Sequence, residues 1–322
     1  MNFPSFEKFN YGLRPAKNIE RKMMCETLAR LSRIAPLRSY QYIGFGAVAF
    51  HDFVLFHQRL GIHRMTSVES FTEAQRRIEF NRPYSCIKIR WGVSYDVIPK
   101  LKWNQRVIVW LDYDRPLESR MLGDITILTS SVKSGSVVIV TVDADPGRVE
   151  ADENTPEKRL EVLRSRVGRS KIRASVKGSD LAKWGLAEVS RNVIHDHIEK
   201  TLSDRNAPLG PDVRLGYHQL FNFHYADNAR MVTVGGLITD PNDEERLNKS
   251  HFKDLDFIRT EGVEGAYRIE SPILTLREIR YLDGRLPRMS RSARHPRWLP
   301  EEERKKYAKV YRYFPAFSEV EP

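Results

Sequence analysis

An α/β fold built on a mostly parallel sheet is what this 322-residue sequence predicts. Three observations predict it. Four short apolar runs, Tyr40–Gly46, Met65–Glu69, Cys86–Gly92 and Arg106–Asp114, follow one another, and each ends in a glycine or a carboxylate. Helical patterns separate them, and a fifth run, Val137–Val142, follows the turn Lys133–Ser136. Two later apolar runs, Tyr217–Tyr225 and Arg230–Ile238, flank four turn-prone residues and read as an antiparallel hairpin. Strands alternating with helices at this spacing form right-handed crossovers, hence parallel pairing. Such sheets bind ligands in the crevice outside the carboxyl ends of their strands.

Taken in order, residues 16–34 carry Ile19, Met23, Met24, Leu28, Leu31 and Ile34 at helical spacing, and Pro36 ends the pattern. The segment Asn10–Lys17 before it reads as a lid. Strands are expected at 40–44, 65–68, 86–91, 106–111 and 136–142, with helices at 48–60 and 71–80 and a short one at 124–128. Residues 155–205 are charged and helical, divided by the turn Val176–Asp180. The tail from 242 is basic and aromatic, with helices at 275–282 and 299–311. The expected divisions are 1–36 (lid and helix), 37–146 (ligand-binding core), 147–212 (basic helical insertion), 213–240 (hairpin) and 241–322 (C-terminal extension).

Composition narrows the class. At 41% apolar and 30% charged residues the chain is that of a globular protein, and no run reaches membrane-spanning length. The first residues show no basic start followed by an apolar core, so no signal peptide is expected and a cytoplasmic location is. Cys25 and Cys86 have no partners at metal spacing and read as inert thiols. His195 and His197 lack a third ligand, so no metal site is expected. The net charge of +11 is uneven, with ten Lys or Arg residues between Lys158 and Arg191 and a second basic stretch from Arg277 to Arg312. An anionic partner such as nucleic acid fits these surfaces, as does a solvated helix face. The run Lys305–Phe317 interleaves basic and aromatic residues, either as a single-strand-binding surface or as a docked tail.

The strand ends suggest their own chemistry. Gly44 and Gly46 allow a tight turn and a close backbone approach. Glu69 lies about twenty residues beyond that turn, the spacing of a ribose-binding acid, although it could also cap the helix that follows. Ser94 and Trp91 suit a base edge and an apolar wall, or a plain turn and core. His51 and Asp52 follow the glycine turn closely enough to reach the crevice. Arg14, Lys17 and Arg21 could clamp a carboxylate or phosphate, or be ordinary charges at a helix start.

Gly44-Phe45-Gly46, Glu69, Gly92-Val93-Ser94, Asp112 and Lys133-Ser134-Gly135, in that order, resemble the motifs of class I S-adenosylmethionine-dependent methyltransferases. In that superfamily a glycine-rich turn follows the first strand, an acid ends the second, a Gly-x-Ala/Ser step follows the third and an acid ends the fourth. The opening Asn10–Lys17 segment and its basic helix are similar to a bacterial group of O-methyltransferase-like proteins. The resemblance implies a Rossmann-like sheet and S-adenosyl-L-methionine as cofactor, contacted by Gly44, Phe45, Gly46, Glu69, Trp91, Gly92, Ser94 and Asp112. It also implies a reacting methyl group beside Asp112 and Asp114, with Arg14, Lys17 and Asp52 on the substrate side. Two positions depart from the pattern: Tyr42 stands where the first strand carries an acid, and Val48 where a third glycine is usual. Where metal-dependent members place Asp-Asn, this chain has Thr141-Val142. The expected activity is methyl transfer to an oxygen or nitrogen acceptor, nucleic acid included. The competing expectation is an inactive module of the same fold that binds nucleic acid or protein. A protein partner or self-association is compatible with either.

Overall fold

In the computed structural model, residues 14–148, 155–260, 265–287, 296 and 298–315 are described. They form one eight-stranded sheet in the order β3-β2-β1-β4-β5-β7-β6-β8. The strands are β1 Gln41–Gly44, β2 Arg64–Glu69, β3 Ile87–Trp91, β4 Val107–Pro116, β5 Ser136–Asp143, β6 Gly216–Ala226, β7 Arg230–Thr239 and β8 Tyr267–Ile269. The first five pair in parallel, β7 runs antiparallel to both β5 and β6, and β8 is parallel to β6. The expected α/β sheet with an antiparallel hairpin is therefore present.

Burial explains the sequence of the central strands. Every residue of β5, Ser-Val-Val-Ile-Val-Thr-Val-Asp, is buried, because helices cover both faces. Val137 and Ile139 belong to one core with helices α1 (Pro15–Ala29) and α2 (His51–Leu60), through Ile19, Met23, Leu28, Phe53 and Phe56. Val138, Val140 and Val142 belong to the opposite core. Beyond α3 (Gln75–Asn81) and the short α4 (Ser94–Val97), that face carries α5 (Ser119–Ser131), α6 (Pro156–Val167) and α7 (Gly185–Asn206).

Several elements differ from expectation for identifiable reasons. Helix α2 begins at His51, not 48, because Phe50 sits in the left-handed region at φ 49° and cannot continue a helix upstream. Helix α5 runs through Gly123, which has open space around it, and so extends well beyond 124–128. The hairpin does not end the sheet: β8, only three residues long, is too short to show alternation in sequence. Helix α8 (Pro241–Asn248) had a signal that sequence reading passed over, since the Asp240 carboxylate caps it by accepting from the Asp243 N–H.

The C-terminal extension contains α9 (Leu276–Asp283), with a Thr275/Glu278 capping box, and α10 (Glu301–Val310). Leu282, Leu299 and Tyr307 form its small core. It docks on α1: Tyr313 and Arg312 bond to Glu26, at 2.5 and 2.9 Å, and the Lys22 ammonium donates to the Phe314 carbonyl at 3.3 Å. Through residue 315 the basic-aromatic run thus behaves as a docked tail; Phe317 lies outside the described residues, as do Asn10–Leu13 of the expected lid. His197 is half-buried, bonded to Thr126 Oγ1 at 2.8 Å and to the Leu122 carbonyl at 3.0 Å. Among the described residues no cluster of three His, Cys, Asp or Glu could hold a metal ion, and no helix is long and apolar enough to cross a membrane.

Candidate functional site

Register places the singled-out strand ends along one edge of the sheet. Gly44 is level with Ser67 on β2 and Trp110 on β4. Two residues further on, Glu69 pairs with Trp91, Asp112 with Thr141, and Thr141 with Thr233. Gly46, Glu69, Trp91, Asp112, Thr141 and Thr233 therefore share a row at the carboxyl ends of the parallel strands. Side chains two apart share a face, so the row and the apolar layer beneath it look toward α1 and α2.

Glu69 and the glycine turn are built into each other. Glu69 Oε1 accepts from the backbone N–H of Gly46 at 2.9 Å and of Ala47 at 3.0 Å, and from the Ser67 hydroxyl. All three bonds fall on the same oxygen. The carboxylate reaches back to the β1 turn and does not cap the helix that follows it. Burial pushes its pKa up to about 7, against the opposing pull of the Ser67 hydroxyl and the two N–H groups. Gly46 is required by packing within the turn: a Cβ there would lie 2.5 Å from the Phe50 ring and 2.7 Å from Ser67 Oγ. Gly46→Ala is expected to cost about 1–3 kcal/mol of stability through such overpacking. Chemical denaturation checks it, and an unchanged midpoint would contradict the contact.

Tyr42 explains the missing acid. Its ring is fully buried between Phe53 and Phe56, with centroids at 4.8 and 4.9 Å, and its hydroxyl donates to Asp52 at the start of α2. The ring also occupies the space beside Gly44, where a Cβ would meet the Tyr42 hydroxyl at 2.5 Å. A carboxylate is still supplied to this place, but from α2. Burial holds Asp52 above its ordinary pKa, opposed by the positive charge of Arg21.

A second network lies under Asp112. The Lys17 ammonium is 2.7 Å from Asp112 Oδ1, 2.8 Å from Glu20 Oε2 and 3.0 Å from the Tyr225 hydroxyl, and stands 4.5 Å from the centroid of the Trp110 ring. Thr233 donates to the other Glu20 oxygen, and Thr141 joins Thr233 at 2.7 Å and the Trp110 indole N–H at 2.9 Å. Glu20 is raised in pKa, first by burial and against the nearby Lys17 charge. Helix α1 is held by a long-range cap, since Asp227 on the β6–β7 turn accepts from the N–H groups of Ala16 and Lys17 at 3.0 and 3.1 Å. Arg14 faces the same Asp227 at 3.7 Å.

The remaining candidates separate. Gly92, at φ +136°, holds a backbone that other residues rarely adopt, and its N–H bonds to the Glu69 carbonyl at 2.8 Å. Trp91 is half-buried next to Glu69. The Ser94 hydroxyl is bonded toward Tyr113 and Asp124, which are themselves joined at 2.6 Å. Phe45 packs edge-on against Tyr113 at 5.3 Å. Asp114 is exposed. Arg14, Lys17 and Asp52, expected on the substrate side, all face partners within the protein. His51 is lowered to a pKa of about 4 by burial and by Arg21. Glu20, Tyr225, Thr233 and Asp227 were missed in the sequence, and only their shared depth in the fold marks them.

The edge brings together a buried carboxylate, a half-buried indole beside it, and an ion-paired carboxylate, a quarter exposed, one strand beyond the turn. A family model described as "Putative O-methyltransferase" matches residues 9–322. No curated protein matches the chain. Among solved structures, the chain is similar to Trm1 from Pyrococcus horikoshii with S-adenosyl-L-methionine, at 11% identity and TM-score 0.41, covering 71% of this chain and 58% of that one. The chain thus spans less than two thirds of that protein. It is also similar to an O-methyltransferase from Bacillus cereus in complex with SAH, at 10% identity and TM-score 0.38, covering 72% of this chain and 86% of that one.

Proposed function

Because the chain belongs to this O-methyltransferase family, we propose that it transfers a methyl group from S-adenosyl-L-methionine to an oxygen or nitrogen atom of an acceptor. When bound, that cofactor supplies an electrophilic methyl group on a sulfonium sulfur. The protein's own task is then mainly orientation. Glu69 would hold the ribose hydroxyls through Oε2, the oxygen outside its internal bonds. Gly46 and Gly92 shape the backbone around the nucleoside, with Trp91 as a wall. Asp112, a quarter exposed and fixed by Lys17, would receive a hydrogen bond from the acceptor at the reacting end.

The observation that most supports this reading is the pinning of Glu69 by the glycine turn, which presets a carboxylate at the tip of the second strand. Titration calorimetry of the full chain with S-adenosylhomocysteine tests it. Saturable one-to-one binding is expected, and no heat at millimolar ligand would defeat the reading. Nothing in the fold or the family favours an inactive module.

The acceptor we infer is anionic, nucleic acid included. Arg169, Lys177 and Lys183 are exposed on the 155–191 segment, while Lys158 and Arg173 there are paired with Glu161 and Asp196. Binding of a single-stranded oligonucleotide should weaken steeply as salt rises. Affinity insensitive to salt would remove the nucleic-acid part and leave the methyl transfer untouched.

A further inference from the structure

Helix α7 starts beside the end of β6, on the sheet face away from α1. There the half-buried Trp184 lies almost parallel to the His224 ring, with centroids 5.1 Å apart and planes 13° from each other. Two guanidinium groups stand near the indole centroid: Arg230, which opens β7, at 5.8 Å, and Arg268, the β8 partner of His224, at 5.9 Å. Arg268 is exposed and makes no ion pair among the described residues, whereas Arg230 faces Asp145 at 3.7 Å. Lys183, exposed next to the indole, is held at φ 54°, a left-handed conformation that costs energy in a residue other than glycine.

His224 is 1% exposed, and neither of its ring nitrogens has a hydrogen-bond partner. Glu188 Oε1, in the first turn of α7, is 3.7 Å from Nε2, too far for a bond. Burial and the Arg268 charge hold the His224 pKa down to about 4, so at neutral pH the ring is uncharged and presents one donor and one acceptor. Neither solvent nor protein meets them, a cost that a polar ring edge entering beside Trp184 would relieve. Because Glu188 already occupies the helix start, an anion finds its partners here in Arg268 and Lys183, not in the helix end.

The place of this cluster in the sheet decides what it can serve. Strand β6 is three strands from β4, so at a strand spacing of ~4.8 Å the cluster lies ~14 Å along the carboxyl edge from Asp112. An acceptor ring methylated beside Asp112 cannot also stack on Trp184. A strand with one nucleotide every ~3.4 Å covers that gap in about four nucleotides. Resting on the nucleic-acid part of the reading above, we propose that Trp184, Arg268, Arg230 and Lys183 form a platform for a nucleotide that flanks the target in a single-stranded nucleic acid. The base stacks on the indole and the neighbouring phosphates meet the cations, two contacts that are both tolerant of sequence.

The test is fluorescence anisotropy of a labelled oligouridylate of about eight nucleotides, enough to span both places, with the full chain. Trp184→Leu is expected to lose about five- to 150-fold in affinity, as for one lost base stack, with the salt dependence unchanged. Trp184→Phe, which keeps an aromatic face, should recover most of the loss. Arg268→Gln should weaken binding and lower the salt slope by about 0.7, the value for one phosphate contact on a single strand. S-adenosylhomocysteine affinity, read by calorimetry, should stay unchanged in all three variants. Arg268 is exposed, so its slope decides the case even where Trp184→Leu fails to fold. An unchanged slope in Arg268→Gln, or wild-type affinity in a folded Trp184→Leu, would overturn the platform while leaving the acceptor reading intact. Deca-glutamate bound as tightly as the oligonucleotide would point to an acidic protein partner and overturn it too. Wild-type protein that binds S-adenosylhomocysteine but no oligonucleotide would remove the nucleic-acid acceptor along with the platform.

Discussion

Lys17→Met is expected to destabilise the folded chain by about 3–5 kcal/mol, the cost of breaking a buried ion pair from one side. Methionine keeps most of the aliphatic stem, so packing against Trp110 and Tyr225 changes little. What changes is charge: Glu20, with no exposed surface, and Asp112 then face each other without the cation between them. Their mutual repulsion already raises Glu20, and Lys17 is the main influence opposing its burial. Without Lys17 the Glu20 pKa climbs further. A carboxyl whose folded pKa lies above its unfolded value gives stability that is present below the unfolded value, near 4.5, and lost as pH rises through the folded one. The variant should therefore lose stability more steeply between pH 5 and pH 8 than the wild type. Urea unfolding at both pH values reads this out. Adding Glu20→Gln should restore part of the loss at pH 8, since the uncompensated charge is removed. A single-variant cost below about 1 kcal/mol would mean that the network is solvated and not buried as described.

This network also marks the limit of what the sequence discloses. Period and punctuation were enough for the parallel core, because β-branched runs such as Val137–Val142 exist only where a sheet is covered on both faces. The row of strand ends was legible for the same reason: once five strands are parallel and in order, Gly46, Glu69 and Asp112 must lie on one edge. Tyr42 was legible as a departure but not as a solution. The Asp52 that meets its hydroxyl is ten residues away on a helix whose start depends on Phe50 adopting a left-handed conformation, which no periodicity announces. Lys17 read either as an anion clamp or as an ordinary charge, because it opens a basic helix. Its burial follows from Asp227 capping that helix across 210 residues and laying it over β4. Long-range caps and buried ion pairs depend on three-dimensional neighbours, and single-sequence patterns carry only local ones.

Glu69→Gln is expected to weaken S-adenosylhomocysteine binding by about ten- to hundredfold, as for a lost hydrogen bond to a charged group. Glutamine keeps a carbonyl oxygen to accept from Gly46 and Ala47, so the turn should survive. Its second atom becomes an NH2, which cannot accept from a ribose hydroxyl. The pH dependence separates this role from a merely structural one. With the carboxyl pushed up to about 7, Glu69 is largely protonated at pH 6 and largely ionised at pH 8. Affinity in the wild type should therefore rise with pH through 7, by at most about tenfold per unit below it. Stability of the free protein should move the other way, since the raised pKa favours folding below 4.5 and that benefit, about 3 kcal/mol in all, is lost by pH 8. In Glu69→Gln both slopes should flatten, leaving weak binding that ignores pH. Calorimetric titrations and thermal melts at pH 6 and pH 8 measure the two slopes in one preparation. If the stability slope flattens in the variant while the affinity slope stays, Glu69 only braces the glycine turn, and another group at the sheet edge holds the sugar.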